Sequence, residues 1–304
     1  MPIISFGSIN MDLVARTPRF AKPGETLTGS DFYTAAGGKG ANQAVAAAKL
    51  SGSSVMIGRV GNDIFGTELR DNLRVNGVVT ETVAIDQALP TGTALITVDD
   101  AAENTIIIIP GANGAVGDEE LNALESTLTT ADVLMLQLEV PLESIISAAD
   151  KAKAANVKVV LDPAPARALP DELLRVCDFI TPNETEAQIL TGIEINDVKD
   201  ARKAAVALRD RGVKAVIIKM SSKGSYYFDG DDEIEFPAFK VKPVDTVAAG
   251  DAFNGGFAAA LATGRPMIEM LQWANAAGAL STTKAGAQSS MPTKEELLAF
   301  IADH

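Results

Sequence analysis

Histidine and cysteine are all but absent: the only histidine, His304, is the last residue of the 304, and the only cysteine is Cys177. Lacking an internal histidine, the chain cannot carry a Ser-His-Asp or Cys-His hydrolytic site or a His-ligated zinc. One cysteine excludes an intramolecular disulfide and a thiolate-rich metal site, which leaves Cys177 as core filler. Positive charge is also scarce, with 26 basic against 40 acidic residues and a net charge of -14. Such a surface repels phosphate backbones and anionic lipid, so neither nucleic acid nor membrane is an expected partner. No apolar run approaches a membrane span, and the opening Met-Pro-Ile-Ile-Ser-Phe-Gly has neither the positive flank nor the apolar stretch of a signal peptide. The expected location is the cytoplasm. There is no internal repeat, low-complexity tract or proline-rich linker, so residues 1–304 are expected to form one domain carrying an insertion. Carboxylates, lysines, backbone amides and a hard cation remain as chemical resources.

Hydrophobic residues make up 47% of the chain, enough for a substantial core. β-rich runs at 3–6, 55–60, 133–138, 157–161, 179–181 and 215–219 alternate with helical patterns at 41–50, 64–76, 142–154, 201–211, 252–262 and 267–283. That alternation predicts an α/β fold with a central, mainly parallel sheet. Two segments break it, at about 13–33 and 91–110, and the second reads as a hairpin turning across 99–103. Strands outside the alternation imply a small second sheet, a β lid whose apolar face favours a homodimer. The alternative is a hairpin that extends the main sheet.

Two constellations carry chemistry. The first is Gly37-Gly38-Lys39-Gly40-Ala41-Asn42-Gln43, glycines leading into a helix whose free amides can meet a polyhydroxylated or anionic group. It is not a Walker A loop, because Gly40 follows Lys39 and Tyr33 stands where the first glycine belongs. It is not a dinucleotide fingerprint either, because Gln43 occupies the third small position. The second runs from Asp245 to Phe257, with Phe253, Phe257 and Leu261 at helical spacing, so Asp251 falls in a first helical turn. The backbone amides of Ala248, Ala249, Gly250 and Asp251 can nest a transferred phosphoryl group, and the Asp251 carboxylate can take a proton from an attacking hydroxyl. A plain helix cap is the competing reading of Asp251, although it leaves the preceding Ala-Ala-Gly unexplained.

Together with Gly7 to Asp12, Leu136 to Glu139, Asp162 to Arg167, Thr181 to Glu186 and Gly286-Ala287-Gln288, these segments form an ordered set. The set resembles the ribokinase-type (pfkB) carbohydrate kinases along nearly the whole chain. The resemblance implies a three-layer sandwich with a β lid, and transfer of the γ-phosphoryl of MgATP to the primary hydroxyl of a small sugar. D-ribose is the expected acceptor, ahead of fructose, deoxyribose or a nucleoside, since a nucleoside would want aromatic walls and only Phe32 and Tyr33 offer them. It also implies that Asn10, Asp12, Gly38, Lys39, Asn42 and Glu139 hold the sugar and that Asp251 is the base. Asn183 and Glu186 would organise magnesium near the phosphates. Lys219, Met220, Ser221, Ser222, Lys223 and Gly224, with Gly250 and Asn275, would form the nucleotide wall. Asp245, Val247, Ser281, Lys284, Gly286 and Ser290 would bind potassium.

Each residue also has a plainer reading. Asn10 and Asp12 can close a turn, Glu139 can be a surface carboxylate, and Asn183 with Glu186 can be a capping box. The chain departs from the family pattern at Lys219, where a hydroxyl residue is expected, and at Ser221, where a glycine is expected. It departs again at Ser281 and Lys284, in place of Ala and Arg, and the Lys284 ammonium could stand in for the potassium ion. Two other classes compete: a non-catalytic sugar-binding protein on the same fold, and a nicotinamide dehydrogenase, which the failed fingerprint disfavours.

Overall fold

The structure, a computed structural model, describes residues 3–101 and 103–304. Met1, Pro2 and Ala102, the last in the expected hairpin turn, lie outside the described residues. The strands are β1 (Ile3–Phe6), β2 (Asn10–Arg16), β3 (Asp31–Gly37), β4 (Ser54–Gly61), β5 (Val78–Val79), β6 (Val83–Asp86) and β7 (Gly92–Val98). They continue with β8 (Asn104–Ile109), β9 (Val133–Leu136), β10 (Lys158–Leu161), β11 (Phe179–Ile180), β12 (Ala215–Lys219), β13 (Ser225–Phe228) and β14 (Glu233–Phe236). The helices are α1 (Lys39–Ser51), α2 (Ile64–Val75), α3 (Asp118–Leu128), α4 (Leu142–Ala154) and α5 (Asp171–Val176). After them come α6 (Glu184–Thr191), α7 (Val198–Asp210), α8 (Ala249–Ala262), α9 (Met267–Ser281) and α10 (Lys294–Ala302).

A 10-stranded sheet runs β14-β13-β12-β11-β10-β9-β1-β4-β5, with β6 also on β4. It is parallel from β12 to β5 and turns antiparallel only at the β12-β13-β14 edge. Its central strands are apolar on both faces because helices cover both. Ile4, Phe6, Leu134, Leu136, Val159, Leu161, Val216 and Ile218 face a layer built from α3 to α7. Their neighbours in sequence, Ile3, Val133, Met135, Val160, Ala215 and Ile217, face α8 and α9. The two faces and the sheet between them make the expected three-layer α/β sandwich, and Cys177 is fully buried within it. Among the described residues no helix is long and apolar enough to cross a membrane.

A separate four-stranded sheet has the order β3-β2-β7-β8. The hairpin expected at 91–110 is therefore not an extension of the main sheet. Its turn is held by the Asp99 amide on Glu103 O at 3.0 Å and by Asp99 Oδ1, which accepts from the amides of Ala101 and Glu103. The other expected segment, 13–33, is corrected at both ends: β2 starts at Asn10 and β3 runs on to Gly37. Asn10 and Asp12 thus lie in a strand, on one face of it, and do not close a turn.

On the far face of the main sheet α8 is wedged between α1 and α9, and close packing there rests on glycine. A Cβ at Gly255 would stand 2.9 Å from the Ala47 amide nitrogen and closer still to the Ala46 methyl. Gly255→Ala should accordingly destabilise. The clash forces α1 and α8 apart at a cost of about 1–3 kcal/mol, more than the ~1 kcal/mol that alanine contributes to a helix interior over glycine. A urea unfolding midpoint at or above that of the parent would show that the two helices can separate freely.

Candidate active site

The order of the main sheet reverses at β1, which pairs with β4 on one side and β9 on the other. In open α/β sheets ligands bind beyond the carboxyl ends of the strands near such a reversal. The candidate residues gather there for that reason. Gly7 to Asn10 follow β1, Glu139 follows β9, Asp162 follows β10, Asn183 follows β11 and Lys219 ends β12. Gly38, at φ 87, caps α1, which brings Lys39, Asn42 and Gln43 to the same edge.

Asp251 sits in the first turn of α8 and is 4% exposed. A carboxylate so buried must be hydrogen-bonded. Its Oδ2 accepts from Asn42 Nδ2 at 2.9 Å and its Oδ1 from Gln43 Nε2 at 3.0 Å. The same Gln43 nitrogen donates to Asp162 Oδ2 at 2.9 Å, and Asp162 Oδ1 accepts from the Lys219 ammonium at 2.9 Å. Gln43 itself is oriented by Gln137 Nε2, which donates to its Oε1 at 2.7 Å. Burial raises the Asp251 pKa against the pull of Lys39, and Asp162 raises it further. A raised pKa brings a general base toward neutral pH. Ala248 enters α8 at φ 58, unusual for a residue with a Cβ, and the Ala249 amide bonds Thr246 O at 3.3 Å. The amides of Gly250 and Asp251 have no acceptor among the described residues, so two N–H groups and the helix dipole are available to an anion.

Beside Asp251 lies a second acidic group. Burial, then Glu139, then Asp251 push the Asp12 carboxyl up to about 7. Glu139 accepts from Ser8 Oγ at 2.5 Å and from the Lys39 amide at 3.0 Å, so it is tied into the loop and is not a free surface carboxylate. Burial works to lower the Lys39 pKa, but Asp251, Asp162, Glu139 and Glu186 outweigh it and the ammonium stays charged.

A cleft of about 830 Å³ opens from Asp251 and Lys39 along Asp162, Asn183, Glu186, Lys219, Ser221, Ser222, Gly224, the start of α8 and Asn275. Asn183 and Glu186 do form a capping box, with Glu186 Oε2 accepting from the Asn183 amide at 2.7 Å and Asn183 Oδ1 from the Glu186 amide at 2.8 Å. They also line the cleft, so the plain reading does not exclude the functional one. Each Glu186 oxygen takes one bond from Asn183, which leaves lone pairs for a hard cation's water shell, and burial raises its pKa. Ser221 stands where a glycine was expected and adopts φ 49, a conformation glycine reaches at no cost. Asn275 Nδ2 is spent on Ser225 Oγ and Leu271 O, so its oxygen is the atom open to a ligand.

Two expected wall residues do not belong. Met220 is 2% exposed and packs into the core, and the Lys223 ammonium turns outward to Asn196 O at 2.6 Å. Alternation at the strand end and the turn after it aim them away from the cleft.

The proposed potassium residues converge in part. Asp245 accepts from the Val247 amide at 3.0 Å and the Gly286 amide at 2.9 Å, and the Val244 amide bonds Thr282 O at 2.7 Å. The loops carrying Val247, Ser281, Gly286 and Ser290 are thereby held against one another. The Ser281 and Ser290 hydroxyls donate to Gly278 O and Ala287 O, leaving their oxygens as acceptors. Lys284 is a correction: its ammonium reaches Glu296 on α10 at 2.6 Å and does not stand in for an ion beside Asp245. Among the described residues no three acidic, histidine or cysteine side chains form a ready metal cage.

Residues 2–294 match the pfkB family carbohydrate kinase pattern. The chain belongs to the pfkB family of carbohydrate kinases. It is 44% identical to a ribokinase of Haemophilus influenzae over 97% of this chain and 96% of that one. A deoxyribokinase of Salmonella typhi is 39% identical over 99% of both chains. The structure of Arabidopsis thaliana ribokinase complexed with ribose and ATP superposes with a TM-score of 0.92 at 34% identity, covering 99% of this chain and 98% of that one. Members of this family are phosphotransferases with an alcohol acceptor, the reaction class expected from the sequence.

Reading individual residues for this kinase chemistry missed Gln43 and Asp162, the two links between Lys219 and Asp251. Gln43 entered as the end of the Gly37–Gln43 constellation and as the residue that spoils a dinucleotide fingerprint, with no role of its own. The available signal was its place beside Asn42 on a helix that starts in the site.

The burial and crowding of Asp12 have a cost that can be measured without substrate. Asp12 ionises near 3.8 when unfolded and at about 7 when folded, so between those values the folded state holds a proton that the unfolded state has released. The parent therefore loses stability as pH rises across that window. Asp12→Asn should be no more stable than the parent below pH 4 and progressively more stable up to pH 7, as read from denaturant unfolding. A stability difference independent of pH would mean that Asp12 does not carry this shift.

Proposed function

We propose that the protein is an ATP-dependent ribokinase, converting D-ribose and ATP into D-ribose 5-phosphate and ADP. The observation that carries the reading is a buried carboxylate, Asp251, hydrogen-bonded by two side-chain amides at a helix start whose backbone N–H groups are free. Asp251 takes the proton of the sugar's primary hydroxyl as its oxygen attacks the γ-phosphorus, and the bond from that phosphorus to the bridging oxygen of ADP breaks. The amides of Gly250 and Asp251, with Lys39 and Lys219, face the charge that develops on the transferred group. Asn10, Asp12, Asn42 and Glu139 supply donors and acceptors for ring hydroxyls. ATP lies along the cleft past Asn183, Ser221, Ser222, Gly224 and Asn275, consistent with the ribose and ATP held by the Arabidopsis relative. Glu186 and Asn183 would hold the water shell of a magnesium ion brought with the phosphates, and the ion would supply charge neutralisation there. The 245–247 and 281–290 loops would hold potassium, which would steady the amides of α8. The small sheet closes over the sugar as a lid and pairs two copies through Ile106, Ile107 and Ile108 on the exposed β8, and the enzyme works in the cytoplasm. The deoxyribokinase relative gives a second reading, 2-deoxyribose as acceptor, and an ADP-release assay over pentoses, hexoses and nucleosides decides between them.

Asp251→Asn keeps size and helix position but cannot accept the proton. Turnover should fall by a factor on the order of 10² to 10⁴ while ribose still binds. A variant within a few-fold of the parent would remove Asp251 from the mechanism.

Because Lys284 is occupied by Glu296, it does not replace the monovalent ion, and activation should be pronounced. Exchanging potassium chloride for tetramethylammonium chloride at fixed ionic strength separates binding from screening. Equal turnover in the two salts would defeat the cation assignment.

A further inference from the structure

Asn113 sits in the short turn Gly111–Ala115 that follows β8 and is 1% exposed. Its Oδ1 accepts from the Ile9 amide at 2.9 Å, and its Nδ2 donates to Ile9 O at 3.0 Å and to Asn10 Oδ1 at 2.7 Å. Hydrogen-bond logic fixes which way each amide faces. A backbone N–H can only donate and a backbone carbonyl can only accept, so Ile9 fixes which end of the Asn113 amide is oxygen. The Asn113 nitrogen in turn requires an acceptor on Asn10. Asn10 is thereby locked with its oxygen toward Asn113, and its NH2 group donates to no protein acceptor among the described residues. The lock is tightly built: a Cβ at Gly92 would collide with both Asn113 Nδ2 and Asn10 Oδ1 and would lie 2.8 Å from Pro110 O.

Resting on the sugar-kinase reading, we propose that Asn113 is a positioning residue for sugar selection that acts only by holding the Asn10 amide with its donor face toward the sugar. Asn10 and Asp12 share a face of β2 two residues apart. A sugar across that face meets one fixed donor and one acceptor, the complement of a pair of neighbouring hydroxyls. If the Asn10 amide turned over, two acceptors would stand side by side and the hydroxyl oxygen that accepts from Asn10 would lose its donor.

Asn113→Asp tests this because the new carboxylate still accepts from the Ile9 amide but cannot donate to Asn10. The Asn10 NH2 then turns to the carboxylate and its oxygen faces the sugar. Ribose affinity by calorimetry, and the separate KM values for ribose and ATP, are measured for the parent, Asn10→Ala, Asn113→Asp and the double variant. We expect Asn113→Asp to weaken ribose about tenfold with the ATP KM unchanged. The double variant should be no weaker than Asn10→Ala alone, since a residue that acts through Asn10 has nothing left to act on. Losses that add, or an ATP KM that rises in step, overturn the proposal and mark Asn113 as a general structural support. Should Asn113→Asp fail to fold, Asn113→Ser enters the same cycle with the same expected pattern. A parent that neither binds nor phosphorylates ribose would overturn the functional reading itself, a result separate from an active parent with an additive cycle.

Discussion

A carboxylate almost closed off from water organises this molecule. The Asp251 carboxylate has to be satisfied by protein donors, and those donors, Asn42 and Gln43, come from a helix more than two hundred residues away in sequence. Their reach is short, so α1 must lie directly against α8, and only glycine at 255 allows that approach. Gln43 then needs its own acceptor filled by Gln137, and Asp162 needs the Lys219 ammonium. Each partner added to keep one group satisfied is supplied by a different strand end of the same sheet. Hydrogen-bond satisfaction and sheet topology thus express one constraint.

The site pairs an excess of negative side chains with fixed positive ones. Glu139, Asp162, Glu186 and Asp251 stand around Lys39, Asp12 feels Glu139 and Asp251, and burial raises the pKa of Asp12, Glu186 and Asp251. A fold selected for stability alone would not gather them. The arrangement suits a reaction in which a proton leaves a hydroxyl while highly charged phosphates pass close by, because the carboxylates oriented for the first task are balanced by the cations and amides needed for the second.

Much of this was legible in the sequence, and for identifiable reasons. The alternation of apolar runs specified the parallel sheet because each strand needs helices over both faces. Gly38-Lys39-Gly40 and Ala248-Ala249-Gly250 were visible because helix starts without bulky side chains are uncommon. The β13-β14 hairpin went unrecognised although Asp229-Gly230 marks its turn, and α3 was passed over despite the spacing of Leu121, Leu124 and Leu128. Their patterns are local and present, but they carry none of the chemistry that drew notice elsewhere. Where Lys223 and Lys284 point could not be read in the same way. Both are long flexible side chains, and each is decided by one distant acceptor, Asn196 O or Glu296.

The place of β1 in the sheet bears on how the chain is made. The first strand of the sequence is an interior strand of the product, with Ile3 beside Ser54 on one side and beside Val133 on the other. During synthesis its first neighbour emerges early, but the second arrives only after some eighty further residues, counting from 54 to 133. Throughout that interval one edge of an almost wholly apolar strand has its backbone groups unpaired, open to any other extended segment that passes. The nascent chain is therefore most vulnerable to wrong pairing before β9 appears, and chaperone capture over residues 61 to 133 would matter more to its yield than the same assistance given later.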